Sequence, residues 1–247
     1  MRTDHSKQPT ITSIEVARAL YIDFEGNQDL PPSFIGIRFQ DGAEARFEQV
    51  IVEQALVGML ALTNPTEHGW AKGYKPFEEP ALPRVLPRRR SDTLAGMVNA
   101  LVRRAEAEDR LILSWSCRER DVITETAGIS ESLKARFIDR WRDAKALAKD
   151  WKKKVHRAVV FPRITGRGRH RLDCYMDLIG YRLPSYFGDR QAAQRIGYVR
   201  QQLEKRGSAQ ALTPVAKAKW TKVIDYNWHD CNGMREVTMR AAKEMEN

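Results

Sequence analysis

Only three cysteines occur in 247 residues, Cys117, Cys174 and Cys231. Their number is odd and no two stand in a C-x-x-C spacing, which argues against a disulfide framework or a structural zinc site. No apolar run approaches the roughly 18 residues of a membrane span. The opening Met1-Arg2-Thr3-Asp4-His5-Ser6-Lys7 is polar and has no apolar core of the signal-peptide kind, so the expectation is a cytoplasmic protein. Internal repeats and low-complexity segments are absent too. What the chain has is charge: 42 Lys and Arg against 32 Asp and Glu, a net +10, with a pI of 9.6 and a mean hydropathy of −0.55. That balance favours an anionic partner, and nucleic acid is the commonest one for so basic a chain. The hydrophobic fraction of 42% is ordinary for a globular domain with a sizeable core.

The first patterned stretch is Leu20-Tyr21-Ile22-Asp23-Phe24-Glu25. Apolar Leu20, Ile22 and Phe24 alternate with Tyr21, Asp23 and Glu25, the period of a half-buried strand, here expected over about 17–25. Asp23 and Glu25 then share one face, roughly 6.5–7 Å apart along the strand. Two such acids repel and lose water, and a divalent cation is the usual remedy. Strands at about 34–39 and 45–52, with a Pro31-Pro32 turn and an Asp41-Gly42 turn, continue an antiparallel meander. Residues 1–13 read as a flexible polar arm, and 14–247 as a single domain. Residues 63–90 read as an irregular Pro/Gly/Arg-rich insertion carrying Trp70, Tyr74 and Phe77 and ending in Arg88-Arg89-Arg90.

A helix is expected from Ser91-Asp92-Thr93 with Leu94, Met97, Val98, Leu101, Val102 and Ala105 on one face. A short buried strand, Leu111–Trp115, follows it. A polar loop, Ser116 to Asp121, comes next. The stripe Leu133, Phe137, Trp141, Ala144, Ala148 and Trp151 predicts one long helix over about 130–151. Residues 152–171 are the most basic part, with glycines between arginines that let the backbone follow a phosphate strand. Helices are expected at about 189–206, ending at Gly207, and from Thr213-Pro214 onward, with a last one marked by Met234, Val237, Ala241 and Met245. Hairpins first and strand–helix units later describe an α/β fold: a mixed central sheet with an antiparallel N-terminal meander and helices on both faces.

Near the end stands Asp225-Tyr226-Asn227-Trp228-His229-Asp230-Cys231. Tyr226 and Asp230 are four apart, one turn from each other on a helix face, where a phenol and a carboxylate share reach of one water molecule. An Asp-x-Glu strand, an acid after a mid-chain strand and a late Tyr-x-x-x-Asp, in this order, resemble the DEDD-type 3′-5′ exonucleases of the RNase H-like superfamily. The branch with a Tyr-Asn-x-x-Asp third motif is the most similar, and Pro31-Pro32-Ser33-Phe34-Ile35-Gly36 resembles its Ile-Gly second strand. The resemblance covers about residues 17–245.

It implies an RNase H-like fold and a metal site of four carboxylates. Asp23 and Glu25 would supply the first motif, Asp230 the third, and Tyr226 would orient the attacking water. For the middle acid both Glu119 and Asp121 stay open. Glu119 is favoured, because Ser116 and Arg120 replace the Asn and Phe of the pattern that would select Asp121. Asp139, Asp143, Asp173 and Asp177 are read as structural or solvated, and His229 as a hydrogen-bonded surface or helix-terminus residue. The implied activity is two-metal hydrolysis of phosphodiester bonds with Mg²⁺ or Mn²⁺, the two ions about 3.5–4 Å apart. Single-stranded DNA or RNA, or a 3′ end, would be the partner. Arg88, Arg89, Arg90, Lys152, Lys153, Lys154, Arg167, Arg169 and Arg171 would track its backbone, and Trp70, Tyr74 or Trp228 would stack on a terminal base. The rival expectations are a nuclease-like module that binds without cutting, and an endonuclease.

Overall fold

A computed structural model of the protein describes residues 11–26, 31–62, 88–163, 168–183, 187 and 191–246. The order begins earlier than the polar composition suggests. Thr12 caps helix α1 (Ser13–Arg18) through a reciprocal capping box with Glu15, which satisfies two otherwise orphaned N–H groups. Ile11 and Val16 are buried, so residues 11–13 belong to the folded body and not to the arm expected over 1–13. The first strand is correspondingly shorter, β1 (Leu20–Glu25).

Strands β2 (Phe34–Asp41) and β3 (Glu44–Ile51) complete the meander, both pairs antiparallel. A 3-10 helix, Gln54–Leu62, follows. Residues 63–87, with Trp70, Tyr74 and Phe77, lie outside the described residues. Arg88-Arg89-Arg90, expected to close the insertion, instead form most of strand β4 (Arg88–Ser91), parallel to β3 at the sheet's edge. Helix α2 (Leu94–Ala107), capped by Thr93, leads into β5 (Ile112–Ser114).

Two further expectations are corrected. The polar stretch after β5 is helical from Cys117 onward, α3 (Cys117–Glu125), capped by the Ser116 hydroxyl. The single helix expected over 130–151 is three elements: α4 (Glu131–Arg140), strand β6 (Trp141–Asp143) and α5 (Ala144–Val155). Trp141 pairs with Ile112 in the sheet, and the Asp143 carboxylate accepts from Lys145 N and Ala146 N to restart the helix. The apolar stripe is buried as expected, but on two sides of the sheet: Leu133, Phe137 and Trp141 pack with α2, and Ala144, Ala148 and Trp151 pack on the opposite face, because β6 carries the chain from one face to the other.

The remaining elements are α6 (Leu172–Leu178), α7 (Ala192–Arg206) and α8 (Pro214–Glu246). Helix α7 ends on Gly207 at φ 75°, a left-handed cap for which glycine has no steric penalty. The two helices expected after Thr213 are one, of 33 residues and about 50 Å long.

The six strands form one mixed sheet in the order β4-β3-β2-β1-β5-β6. Helices cover both faces. Leu20, Ile22 and Phe24 of β1 pack with Met97, Val98 and Leu101 of α2 and with Phe137 of α4. The opposite face gives Tyr21 to a cluster with Trp151 of α5, Tyr175 of α6 and Met234 and Val237 of α8. A third cluster seats Phe34 and Ile51 against α7 and Trp220 of α8. No helix among the described residues is long and apolar enough to cross a membrane.

Candidate metal centre

The pleat of β1 directs Asp23 and Glu25 to the face that carries α8. Helix α8 crosses that face and is fastened to it by polar contacts. The Tyr21 hydroxyl lies 3.1 Å from Thr238 Oγ1. Arg38 Nε donates to Asn232 Oδ1 at 2.5 Å, and Asn227 Nδ2 donates to Asp23 Oδ2 at 2.8 Å and to Asp23 O at 3.2 Å. One turn beyond Asn227, Asp230 completes a triad: one carboxylate oxygen each of Asp23, Glu25 and Asp230 all lie within 4.8 Å of one another.

Asn227 approaches so closely because β2 has glycine beneath it. A Cβ on Gly36 would fall 2.2 Å from Asn227 Oδ1, well inside contact distance. The amide oxygen faces Gln49, whose Nε2 lies 3.4 Å from it and donates to Ile224 O at 2.9 Å. Arg89 Nε in turn donates to Gln49 Oε1 at 3.0 Å. Asn227 and Gln49 are both fully buried. A line of side chains therefore runs from edge strand β4 through β3 and α8 to the Asp23 carboxylate, and it fixes which way Asp23 points.

The two residues expected as the middle acid, Glu119 and Asp121, both stand on α3, and neither is part of that triad. Glu119 sits in the first turn of the helix and is 5% exposed, and Ser116 Oγ donates to Glu119 Oε2 at 3.1 Å. Burial, and then the charge of Asp23, push its carboxyl up to about 7. Asp121 is turned away: its side chain is 47% exposed and pairs with Arg120 at 2.7 Å. Of the two candidates, Glu119 is the one whose charge bears on Asp23, Glu25 and Asp230.

All four carboxyls are raised from their ordinary values, first by burial. Asp23 adds to this at Glu25 and Asp230, while Asn227, Arg118 and a hydrogen bond with the Glu25 carboxyl work against it at Asp23. Glu25 is 7% exposed, and its Oε1 is buried with no hydrogen-bond partner among the described residues. An anionic oxygen left so is expensive unless something positive meets it. Arg118 offers part of that charge; its Nη1 donates to Phe24 O at 3.0 Å. The donor set is all oxygen, half of it buried, which suits a hard divalent cation.

Tyr226 is half-buried on α8, one turn before Asp230. The charge of Asp230, then burial, raise its phenol pKa, so the hydroxyl keeps its proton. Phe187 packs edge-on to Tyr226 and His229 at 5.6 and 5.3 Å. His229 is hydrogen-bonded, its Nδ1 2.8 Å from the Tyr181 hydroxyl, but it is buried within α8 and not at a surface or helix end as expected, and burial pushes its pKa down to about 4.

Two neighbours escape a sequence reading. Asp173, grouped above with the solvated acids, exerts its charge on Asp230 and Tyr226 while Arg171 Nη2 donates to it at 2.8 Å. Arg195 of α7 is 5% exposed on a helix whose other inward positions are apolar. Its Nη2 donates to Gln191 Oε1 at 2.8 Å and to Phe187 O, and Tyr226 and Glu25 oppose the downward pull of burial on it. A cation at an apolar helix position is the one signal that marks it.

The arginines and lysines expected to track a backbone divide. Arg89 is tied to Gln49, Arg90 to Asp92 at 2.5 Å, and Arg171 to Asp173. Lys152 Nζ donates to Val159 O and stands 5.2 Å from the Phe161 ring centroid. Arg88, Lys153, Lys154 and Arg169 are exposed, Arg167 lies outside the described residues, and Trp228 is half-buried, edge-on to His229 at 4.8 Å.

No protein-family model, curated protein or solved structure matches the chain.

Proposed function

We propose that the protein is a metal-dependent nuclease of the RNase H-like kind, a 3′-5′ exonuclease acting on single-stranded nucleic acid. The observation that carries this reading is the convergence of Asp23, Glu25 and Asp230 within 4.8 Å around a buried, unpartnered Glu25 oxygen, with Glu119 beside them. The mixed sheet with its antiparallel N-terminal meander and helices on both faces supports the fold assignment. The net charge of +10 supports an anionic substrate.

Asp23, Glu25, Glu119 and Asp230 would hold Mg²⁺ or Mn²⁺, which would supply Lewis-acid stabilisation of phosphoryl charge and a lowered pKa for attacking water. The chain's own groups do the rest. Asn227 holds Asp23 by one oxygen and leaves the other to face the site. Tyr226, protonated and one turn from Asp230, donates from its hydroxyl to the water and aims it. Arg118 and Arg195 place fixed positive charge near Asp23 and Glu25, where it acts on a phosphodiester without reorganising.

The test is degradation of a linear and a circular single strand with Mn²⁺, by wild type and by Asp23→Asn. Wild type should shorten the linear strand from its 3′ end and leave the circle intact. Asp23→Asn should be slower by at least about 100-fold. Equal degradation by both proteins would remove the enzyme reading. Two Mn²⁺ sites by calorimetry, with no cleavage of any strand, would leave a metal-binding module.

A further inference from the structure

Strands β1, β5 and β6 run parallel, with Tyr21 level with Leu113 and Ser114 level with Asp143. Their carboxyl ends therefore open on one sheet edge. Asp23 and Glu25 stand on β1, and α5 starts from β6 on the same edge, two strand spacings or about 10 Å away. Cys117, two residues before Glu119, lies 4.0 Å from Asp143 Oδ2 and within the influence of Lys145.

On α5 the sequence places Lys145 and Lys149 four apart, so they share a face with their Cβ atoms about 5–6 Å from each other. His170 is placed near α5 through Tyr175, whose ring lies 6.5 Å from that of Trp151. After burial, the charges of Lys149, Lys145, Lys152 and Arg169, in that order, hold His170 below its ordinary pKa, which places all four cations around one imidazole. His170 stacks on Tyr175 and its Nδ1 lies 2.6 Å from the Tyr175 hydroxyl. Lys149 and Arg169 are exposed and Lys145 is half-buried. Among the described residues none of these three joins an ion pair, although Arg171 and His156 nearby do. The Asp143 carboxylate at the start of α5 feels the charge of Lys145 and Lys149, but one half-buried acid leaves the three cations a net positive patch, and a polyanion that displaces its own counterions neutralises it.

We infer that Lys145, Lys149, Arg169 and His170 form a ledge that binds the sugar-phosphate backbone of a single-stranded nucleic acid and leads its end to Asp23, Glu25, Glu119 and Asp230. The destination rests on the nuclease reading; the binding does not. The ledge is one helix face wide, and the acids at its end are half-buried or buried. One flexible strand reaches them, whereas a stiff duplex presents two backbones and a closed stack. The track therefore runs along the first two turns of α5 and not along Lys152-Lys153-Lys154 at its other end, where Lys152 is already committed to Val159 O.

Anisotropy of a labelled single-stranded oligonucleotide, measured in EDTA over a range of KCl concentrations, tests the ledge without cleavage. Lys145→Glu/Lys149→Glu should weaken binding at least tenfold, and its log–log salt slope should be shallower by about 0.7 per lost contact. Lys145→Gln/Lys149→Gln should show a smaller loss of the same kind with an unchanged melting temperature, which separates binding from folding. Lys205→Glu, on the last turn of α7, should match wild type. Unaltered affinity and slope in the double glutamate variant would overturn the ledge, as would tighter binding of blunt duplex. Adsorption to phosphatidylserine vesicles with no binding of the oligonucleotide would also overturn it. Cleavage by wild type with normal binding by the double variant sinks the ledge and spares the nuclease. Binding that needs the two lysines, with no cleavage by any variant, does the reverse.

Discussion

At the scale of single residues, Gly36 and Asn227 form the most tightly specified pair near the acids. The Asn227 amide fills the space a Cβ on Gly36 would take, at 2.2 Å, and spends its N–H groups on Asp23. Gly36→Ala must therefore displace the amide or bend β2, and overpacking of this kind costs about 1–3 kcal/mol. The same displacement frees the Asp23 carboxylate to rotate, and loss of such orienting partners costs about 10–100-fold in metal affinity. The two effects separate in the double variant. Gly36→Ala/Asn227→Ala removes the clash and should recover most of the urea stability of Gly36→Ala, while Mn²⁺ affinity by calorimetry stays low. Recovery of both would mean that Asn227 is only a packing residue. Steric demand explains why a strand of Phe34, Ile35, Ile37 and Phe39 tolerates glycine at its centre: the position is set by what α8 lays over it.

At the scale of elements, helix α3 decides where Glu119 stands, and its start rests on Ser116. The hydroxyl caps the helix and donates to Glu119 at 3.1 Å. Ser116→Ala should cost about 1 kcal/mol, the usual price of an N-cap. Ser116→Asn, which also caps and still has N–H groups to offer, should stay within about 0.5 kcal/mol of wild type. Urea midpoints of the two variants decide the matter, and an alanine variant as stable as the asparagine one would take the cap out of the argument. The signal was present in the chain, since Ser116-Cys117-Arg118-Glu119 has the spacing of a capping box, as has Thr12-Ser13-Ile14-Glu15. The spacing did not prevent residues 116–121 from reading as a loop and 1–13 as an arm, because a short polar helix shows no apolar stripe. The meander and the face shared by Asp23 and Glu25 were legible, because strand period fixes side-chain direction. What periodicity could not reveal was tertiary: Trp141 continues the helical stripe of α4 yet lies in a strand because Ile112 is there to pair with it. Likewise nothing near Arg195 in sequence announces Glu25 and Tyr226 as its neighbours, since α8 and β1 bring them from elsewhere in the chain.

At the scale of the whole molecule, the metal-free protein carries a burden that depends on pH. Glu119 has an ordinary carboxyl value of 4.5 and rises to about 7 when folded, and Glu25 and Asp230 also rise well above their ordinary values. A raised carboxyl means that the folded state holds more protons than the unfolded one between the two values, so stability falls as pH rises through that window. His229 acts oppositely. Its folded value of about 4 against 6.5 contributes stability that is whole above pH 6.5 and is lost as pH falls towards the folded value. Self-repulsion of the net +10 also disfavours the acid side, though screening within about 8 Å at physiological salt weakens it. Above about pH 6.5 unfolded histidine is already neutral, and only the acids contribute to the slope. In EDTA the melting temperature should therefore drop from pH 6.5 to 8 and round off below 6.5. Asp230→Asn should flatten the drop by removing one buried charge. Saturating Mn²⁺ should cancel it, because a ligand that binds only the folded state adds about 2.7 kcal/mol at 100 times its Kd, and deprotonated carboxylates bind it best. A melting temperature that climbs over the same range in EDTA would show that the four carboxyls are not confined together in the folded chain.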